Sequence, residues 1–220
     1  MVDTIICGDC LEVMPTLEDK SVDLIIADPP YFLPAQSYVG VRGAGYHNRT
    51  LADTTIPRTF FKVLFNELNR IIKDTGAFYV FCDAQSYPLI YMELFPFCKY
   101  VRLLIWDKMV SYNGYTWRHQ HELIAWGELN NTYRVPTGDG DVLKCRGVLQ
   151  KDRTHPAEKP VKLIEKLVTK SSNENDVILD PFAGTGAVLI AAKAQNRRYI
   201  GVEFDEQYIK IAEKRIAEML

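Results

Sequence analysis

Short apolar runs alternate along the chain with longer stretches in which apolar residues recur every three or four positions. The run at residues 22–27 is almost continuously apolar, which is typical of a strand covered on both faces in a parallel sheet. The pattern predicts strands at residues 4–7, 22–27, 77–82, 100–106, 121–126, 176–179 and 198–202. It predicts helices at residues 10–18, 57–73 and 187–195, and others that begin near Gln85, at Pro160 and after Asp205. Strand and helix alternate almost throughout, so the predicted fold class is α/β, with a doubly wound, mostly parallel sheet.

The helix at 57–73 has an apolar face marked by Phe60, Phe61, Leu64, Leu68, Ile71 and Ile72, and two further helices also have a clear apolar face. The latter two faces comprise Leu163, Ile164, Leu167 and Val168 in the helix after Pro160, and Ile209, Ala212, Ile216 and Met219 in the last helix, which Asp205 caps. Trp106 and Trp126 are at predicted strands, and we expect both in the core.

Two segments have no regular period. Residues 32–55 form a long loop in which glycines lie among basic and aromatic residues. A loop of this length in a compact domain is usually functional or disordered. Its composition favours a mobile flap that becomes ordered on a polyanion, with plain disorder as the alternative. Residues 128–154 are polar and rich in turn residues.

The chain has 220 residues, 47% hydrophobic and 25% charged, which is typical of one soluble globular domain. The start of the chain lacks a signal-peptide pattern, and no run reaches the ~18 apolar residues of a membrane span. We therefore expect a cytoplasmic protein without a membrane partner. The five cysteines are scattered, as in a reducing compartment. Cys7 and Cys10 have CxxC spacing, but without a second pair we expect no metal or redox role.

The net charge of −2 is not that of a generic nucleic-acid binder, but the charges are unevenly distributed. Residues 1–31 carry seven acids against one lysine, whereas residues 32–73 carry six Lys or Arg against two acids. The basic segment is either a solvated face or a local phosphate-binding surface, and charge alone does not decide between them.

The strand at residues 22–27 is followed by Asp28, Pro29, Pro30 and Tyr31. The prolines fix φ and remove two backbone donors, so the segment is stiff and its carbonyls stay available as acceptors. In open α/β sheets, ligands bind beyond the carboxyl ends of strands. A carboxylate, a fixed carbonyl and an aromatic ring at this place predict a site for a planar group that bears an amine. The alternative is a strand end that binds no ligand, in which Asp28 is only a turn residue.

A second candidate site is the turn Gly184-Thr185-Gly186, between a predicted strand and a predicted helix. Glycine permits close backbone approach, and the helix N-terminus offers free amide donors. Glu203 ends the next strand, where an acid can hold the two hydroxyls of a ribose. A third glycine is missing, however, and the Asp180 carboxylate would repel a pyrophosphate but attract a cationic amine. The segment therefore favours S-adenosylmethionine over a dinucleotide.

Three motifs together resemble the amino-methyltransferases of DNA: DPPY at 28–31, HPAEKP at 155–160 and DPFAGTG at 180–186. Their order is that of the permuted β group, in which the catalytic half precedes the cofactor half. ICGD at 6–9 and IGVEFD at 200–205 are also similar to family blocks. The resemblance implies a Rossmann-like methyltransferase fold in one domain. Its parts are a catalytic half at 1–127, a short target-recognition insert at 128–154 and a cofactor half at 155–220.

The resemblance implies S-adenosyl-L-methionine as cofactor, double-stranded DNA as partner, and a role for each matching residue. The implied catalytic residues are Asp28, Pro29, Pro30 and Tyr31. The implied cofactor-binding residues are Asp9, Cys10, Lys159, Asp180, Phe182, Gly184, Thr185, Gly186, Glu203 and Phe204. Asp9 would accept the adenine amine, Glu203 would bind the ribose, and Phe204 would flank the adenine. Asp180 would lie near the methionine end, and Lys159 looks placed for the cofactor carboxylate, with an ordinary solvated lysine as the alternative.

The implied reaction is methyl transfer to the exocyclic amine of a base that is flipped out of the duplex. Asp28 and the Pro29 carbonyl would accept the two amine hydrogens, and Tyr31 would stack on the base. The family tends to have Asp at this position for adenine and Ser for cytosine. We therefore expect a site-specific N6-adenine enzyme of the restriction-modification type, from a prokaryote or phage. The alternatives are an N4-cytosine or RNA methyltransferase and, remotely, an inert nucleic-acid-binding subunit.

Composition alone suggests the residues that contact DNA. They are Arg42, Arg49, Arg134, Lys144 and Arg146 as backbone contacts. Trp117 and Arg118, which lie beside His119, are further candidates to face DNA. The insert at 128–154 is shorter than the family often carries, which favours a short target or a homodimer that supplies the missing surface. His119 and His121 form an HxH motif without a third ligand, so we expect no metal.

Overall fold

The computed structural model describes residues 2–30, 58–110, 117–130, 133, 135–136, 138–148 and 158–219. The strands in these ranges are β1 (Thr4–Cys7), β2 (Val22–Ala27), β3 (Ile72–Cys82), β4 (Tyr100–Asp107), β5 (His121–Glu128), β6 (Val142–Lys144), β7 (Val177–Asp180) and β8 (Arg198–Glu203). The helices are α1 (Cys10–Val13), α2 (Arg58–Ile71), α3 (Tyr87–Leu94), α4 (Val161–Ser171), α5 (Ala187–Ala194) and α6 (Glu206–Ala217), and a 3₁₀ turn at Met14–Thr16 follows α1. None of the helices in these ranges is both long and apolar enough to cross a membrane.

The strands form one sheet in the order β1-β8-β7-β2-β3-β5-β4-β6. The five neighbouring strands β1, β8, β7, β2 and β3 are parallel to one another. β5 runs antiparallel between β3 and β4, and β6 is parallel to β4. The predicted doubly wound, mostly parallel sheet is therefore confirmed. The parallel strands end at one edge, the carboxyl edge, where Ala27, Asp180 and Glu203 are the last residues of β2, β7 and β8. β5 begins at this same edge, since His121 lies opposite Asp107 at the end of β4.

Helices cover both faces of the sheet. Along β2, Ile25 and Ala27 belong to a core cluster with α2 and α3, whereas Leu24 and Ile26 belong to a second cluster with α4 and α5. All four side chains are buried. Side chains alternate between the two faces of a strand, so a strand covered on both sides needs a nearly continuous apolar run, as predicted for residues 22–27.

Helix α2 ends earlier than the predicted residue 73. Ile72 already pairs with Val22 of β2, and the register then shifts so that Ala77 pairs with Leu24. The segment before Ala77 therefore belongs to β3 rather than to the helix or a turn. Apolar residues at this boundary suit either structure, and strand pairing decides between them.

Two further segments differ from their predictions. The helix predicted at 10–18 is the single turn α1 and a 3₁₀ turn that contains Pro15, which has no N–H to continue an α-helix. Residues 128–154, predicted as turn-rich, include the end of β5 and all of β6. β6 pairs with β4, but a strand of three residues is too short for its hydrophobic period to be recognised.

The predicted core positions of the two tryptophans and the predicted apolar face of the last helix are confirmed only in part. Trp106 is in the core, at 2% exposure. Trp126 is only half-buried and stacks on Tyr79, with ring centroids 6.5 Å apart. Met219 is 37% exposed instead of lying on the buried face of the last helix, because α6 ends at Ala217.

Candidate active site

Asp28 and Asp180 lie at the ends of adjacent strands on the carboxyl edge. Asp28 directly follows β2, and Asp180 is the last residue of the neighbouring strand β7. The segments predicted to bind an amine and a cofactor are thus neighbours in space. Pro29 is buried and Pro30 is exposed, whereas Tyr31 lies outside the described residues.

Lys159 forms an ion pair with Asp28. Its Nζ lies 2.5 Å from Asp28 Oδ2 and 3.3 Å from Glu122 Oε2. The ammonium is also 5.1 Å from the centre of the Phe81 ring, within cation–π range. Lys159 is 7% exposed and directly precedes Pro160, the N-cap of α4. The start of that helix therefore fixes the backbone of the lysine.

The two carboxylates keep Lys159 charged. Burial lowers the pKa of this lysine, but the negative charges of Asp28 and Glu122 outweigh burial and raise the pKa above its ordinary value. The burial of Lys159 excludes the alternative of an ordinary solvated lysine. Its contact with a cofactor carboxylate stays a prediction.

Glu122 is a charged neighbour of the site to which the sequence patterns assign no role in the active site. It is the second residue of β5, and its Oε1 lies 2.5 Å from Lys108 Nζ. Burial by itself raises the pKa of Glu122, yet Lys159 and Lys108 bring the pKa below its ordinary value, so the carboxylate stays ionised. The available signal is an acid near the start of a mostly apolar strand, at the edge where the other site residues converge.

Asp180 is buried, at 4% exposure, and accepts a hydrogen bond from the Phe182 amide at 3.0 Å. Burial raises the pKa of Asp180 to about 8, and the nearby carboxylates of Asp28 and Glu203 add to the rise. The carboxyl group is therefore largely protonated at neutral pH in this environment. A cationic group placed beside it would favour the carboxylate form, because opposite charges stabilise each other.

The turn at 184–186 requires glycine at two positions. Gly184 has a φ of +50° and Gly186 a φ of +82°, values that other residues rarely adopt. A Cβ on Gly186 would also lie 2.9 Å from the Ala212 Cβ of α6. Gly186 is the N-cap of α5, and at this residue the turn packs against α6 too closely for a side chain.

The Glu203 carboxylate organises the same turn. Its Oε2 accepts a hydrogen bond from the Gly184 amide at 2.8 Å, and its Oε1 accepts from the amides of Phe204 and Asp205. Glu203 thus ties the end of β8 to the glycine turn that follows β7. Phe204 is 70% exposed, so its ring is accessible to a stacked group.

Asp9 and Cys10 follow β1, which pairs with β8. The Asp9 carboxylate caps α1 by accepting from the Leu11 amide at 2.8 Å, and the Gly8 amide donates to the Glu203 carbonyl. Cys10 is buried, and burial raises the pKa of its thiol to about 12. Cys10 is therefore a neutral neighbour of this corner of the site and not a thiolate.

Arg215 of α6 joins two loops of the site. Its Nη2 lies 2.8 Å from Glu158 Oε1, and its Nη1 donates to the carbonyl and the hydroxyl of Thr185. Thr185 is buried, and the Glu158 side chain is 5% exposed. Sequence reasoning quoted Glu158 only as part of the HPAEKP motif and assigned no role to Arg215, because their contact joins the last helix to the segments before α4 and α5.

Several predicted DNA contacts are exposed at the carboxyl edge. Trp117 and Arg118 shortly precede β5, and Trp117 is 89% exposed. Lys144 ends β6 opposite Asp107, and Arg146 lies just beyond it. The predicted DNA contacts Arg42, Arg49 and Arg134 lie outside the described ranges. Residues 155–157 of the HPAEKP motif lie outside them as well.

Within the described ranges, no group of three or more His, Cys, Asp or Glu side chains is arranged to hold a metal ion. His119, His121 and Cys7 are exposed, and Cys10 is buried. The expectation that no metal binds stays a prediction.

A family model described as DNA methylase matches residues 22–214. The chain is 31% identical over 248 residues to the type II methyltransferase M.HinfI of Haemophilus influenzae, a match that covers 99% of this chain and 69% of that protein. It is 27% identical over 252 residues to the DNA adenine methyltransferase YhdJ of Escherichia coli K12, covering 97% of this chain and 82% of that protein.

Solved structures share the fold. The M1.HpyAVI–SAM complex matches with a TM-score of 0.70 at 20% identity, over 97% of this chain and 98% of that chain. The cytosine-N4-specific PvuII DNA methyltransferase matches with a TM-score of 0.75 at 15% identity, over 98% of this chain and 90% of that chain. The family match over most of the sequence, on a fold that brings the DPP and DPFAGTG segments together, shows that this chain belongs to the DNA methylase family and is a DNA methyltransferase that uses S-adenosylmethionine.

Proposed function

We propose that this enzyme transfers the methyl group to the exocyclic N6 amine of an adenine flipped out of double-stranded DNA. The observation that carries the proposal is the position of Asp28, a half-buried carboxylate at the end of β2, beside the strand that leads into the glycine turn. The adenine preference rests on Asp28 itself, which the family tends to combine with adenine. A relative named as a DNA adenine methyltransferase supports it.

In this proposal the Asp28 carboxylate and the Pro29 carbonyl each accept a hydrogen bond from one N–H of the amine. The lone pair of an adenine amine is delocalised into the ring, so the amine is a poor nucleophile until two acceptors localise the pair on nitrogen. The nitrogen then attacks the sulfonium methyl in line. The nitrogen–carbon bond forms as the carbon–sulfur bond breaks, and the displaced proton passes to Asp28. Orientation contributes more than base strength to such a step, and Tyr31 would stack on the flipped base.

The proposed cofactor site extends over the ends of β7, β8 and β1. Glu203 binds the ribose with the acceptor capacity that remains beside its amide contacts. Phe204 flanks the adenine ring, and Asp9 accepts the adenine amine. Asp180 faces the methionine end, where the cofactor ammonium favours the carboxylate, and Lys159 contributes a donor for the cofactor carboxylate. The remaining residues of the proposed bed are Cys10, Phe182, Gly184, Thr185 and Gly186.

Exposed basic and aromatic residues at the carboxyl edge are the proposed DNA contacts. The described candidates are Trp117, Arg118, Lys144 and Arg146, and those proposed from the sequence alone are Arg42, Arg49 and Arg134. Phosphate contacts from these basic residues would position the duplex without reading its sequence. A homodimer would add surface for recognition of the target site.

Methylation of defined substrates tests the proposal. The purified protein is incubated with methyl-labelled S-adenosylmethionine and, separately, duplex DNA, single-stranded DNA and RNA, and the modified nucleosides are identified by mass spectrometry. We expect labelled N6-methyladenine in duplex DNA. Label in N4-methylcytosine alone, or in RNA alone, would overturn the proposal.

N4-cytosine methylation is the second candidate, since the same two acceptors serve any ring amine. The likeness to the fold of the cytosine-N4-specific PvuII methyltransferase favours it. Long-read sequencing of DNA from an expressing strain separates the two candidates, because it locates the methylated base and its target sequence together. Methylated adenine at a recurring sequence is the expected result.

A further inference from the structure

We propose that Glu122 is a positioning residue for methyl transfer: it anchors Lys159, which in turn holds the Asp28 carboxylate toward the target amine. This inference rests on the proposed function, in which Asp28 is an acceptor for the amine. Glu122 lies on the antiparallel strand β5, outside the DPPY, HPAEKP and DPFAGTG motifs.

Charged side chains of alternating sign form a continuous line into the site. Lys108 Nζ lies 2.5 Å from Glu122 Oε1, Glu122 Oε2 lies 3.3 Å from Lys159 Nζ, and Lys159 Nζ lies 2.5 Å from Asp28 Oδ2. The exposed fractions of these side chains range from 8% for Lys159 to 26% for Asp28. Because little water reaches them, the charges interact more strongly than they would at the surface.

The far end of this line is fixed by well-packed strands. The Lys108 amide donates to the Gln120 carbonyl, which closes the ends of β4 and β5 on each other. The Lys108 ammonium lies 5.1 Å from the centre of the buried Trp106 ring. Glu122 therefore connects the paired ends of β4 and β5 to Lys159, whose backbone lies on the connection before α4.

An anchored ammonium suits the acceptor role of Asp28. A lysine has a flexible four-carbon stem and does not define one geometry by itself. Glu122 restricts the ammonium of Lys159 to one place and shares its positive charge, so that Asp28 keeps both its position and its strength as an acceptor. An ion pair that only stabilised the fold would leave the rate of methyl transfer unchanged, so the two roles can be separated.

Glu122→Gln tests the inference, with Glu122→Asp as the conservative variant and Glu174→Gln as the matched control. Glu174 is exposed in the turn before β7, at the opposite edge of the sheet. We expect Glu122→Gln to lower kcat by about tenfold to about 100-fold. Because Lys159 is also a proposed donor for the cofactor carboxylate, calorimetry should show at most a rise in the dissociation constant for S-adenosylmethionine that is small beside the loss of kcat. Glu122→Asp should recover part of the lost kcat, and Glu174→Gln should match the unsubstituted enzyme.

The pH profile gives a readout that a purely structural role would not change. Lys159 faces Asp28 and Glu122, with Asp180 near enough to sense its charge and Lys108 beyond Glu122. Loss of the Glu122 charge removes one of the two carboxylates that raise the pKa of Lys159. The alkaline limb of kcat should therefore move to lower pH in Glu122→Gln and return toward its original position in Glu122→Asp.

A charge-balanced variant covers the case in which Glu122→Gln folds poorly. Lys108→Met combined with Glu122→Gln removes one charge of each sign and retains the Lys159–Asp28 pair. We expect a cooperative unfolding transition and the same loss of kcat. An unchanged kcat in a folded variant, or weaker cofactor binding that accounts for the whole loss of rate, would overturn the inference. Failure of the unsubstituted enzyme to methylate DNA would instead refute the proposed function.

Discussion

The Lys159 ammonium lies 2.5 Å from Asp28 Oδ2, so an ion pair joins residues that are 131 positions apart. Asp28 follows a strand of the first half of the chain, and Lys159 precedes the helix that opens the last third. Folding brings both into a charge pair that is largely shielded from water. The pair makes the geometry of the DPP segment depend on the segment that leads into α4.

Asp28→Ala should abolish methyl transfer while S-adenosylmethionine still binds. The substitution removes a proposed acceptor of the amine but none of the residues proposed to hold the ribose or the adenine of the cofactor. Turnover is measured with labelled cofactor and binding by calorimetry. Asp74→Ala is the control, because the Asp74 side chain is 83% exposed. Equal losses of turnover and binding would contradict the role proposed for Asp28.

The contribution of Asp180 to the stability of the cofactor-free protein should fall with rising pH. Folding raises the pKa of this carboxyl from its ordinary 3.8 to about 8, so the folded state binds an extra proton between these values. The contribution is fully present below about pH 4 and is lost as the pH rises through about 8. Asp180→Asn cannot ionise. In urea unfolding, the free energy of unfolding of the unsubstituted protein should therefore fall relative to that of the variant as the pH rises from about 5 to about 8. A constant difference would mean that Asp180 stays ionised in the folded protein.

Arg215→Ala should weaken cofactor binding more than it lowers kcat. Without the guanidinium, the buried Glu158 carboxylate and the Thr185 carbonyl each lose a partner, and the glycine turn is held less firmly. A hydrogen bond to a charged group contributes about 1.5–3 kcal/mol to folding stability. Only the part that orders the glycine turn for the cofactor affects binding, so we expect a rise of up to roughly tenfold in the dissociation constant for S-adenosylmethionine. Calorimetry measures it, with Arg198→Ala at the half-exposed pair with Asp3 as the control. Lower stability with unchanged affinity would limit Arg215 to a structural role.

Gly186→Ala should destabilise the protein more than Gly138→Ala. Both glycines have a positive φ, so each substitution introduces backbone strain of about 1–2 kcal/mol. A Cβ on Gly186 would also lie 2.9 Å from the Ala212 Cβ, whereas nothing lies within 4 Å of a Cβ on Gly138. The overpacking should add roughly 1–3 kcal/mol, measured by urea unfolding. Equal effects of the two substitutions would show that α6 can move away from the turn at little cost.

Much of the fold is predictable because local patterns have local physical causes. β2 is apolar at nearly every position because helices cover both of its faces. Asp205 is recognisable as a cap, and its side chain does accept a hydrogen bond from the Gln207 amide at the start of α6. The glycines at 184 and 186 mark a left-handed turn that few other residues can adopt. These features are encoded within a few neighbouring positions.

The charge pairs and the strand order are not encoded locally. The antiparallel direction of β5 brings Glu122 to the carboxyl edge, and the packing of α6 places Arg215 on the glycine turn. Hydrophobic period specifies which side chains are buried but not which strands become neighbours. The amino-acid sequence alone specifies the helices and strands, the motifs at their ends and the chemistry that those motifs suit. The crossovers between strands decide which distant charges meet, because an ion pair forms only where the sheet brings its two partners within reach.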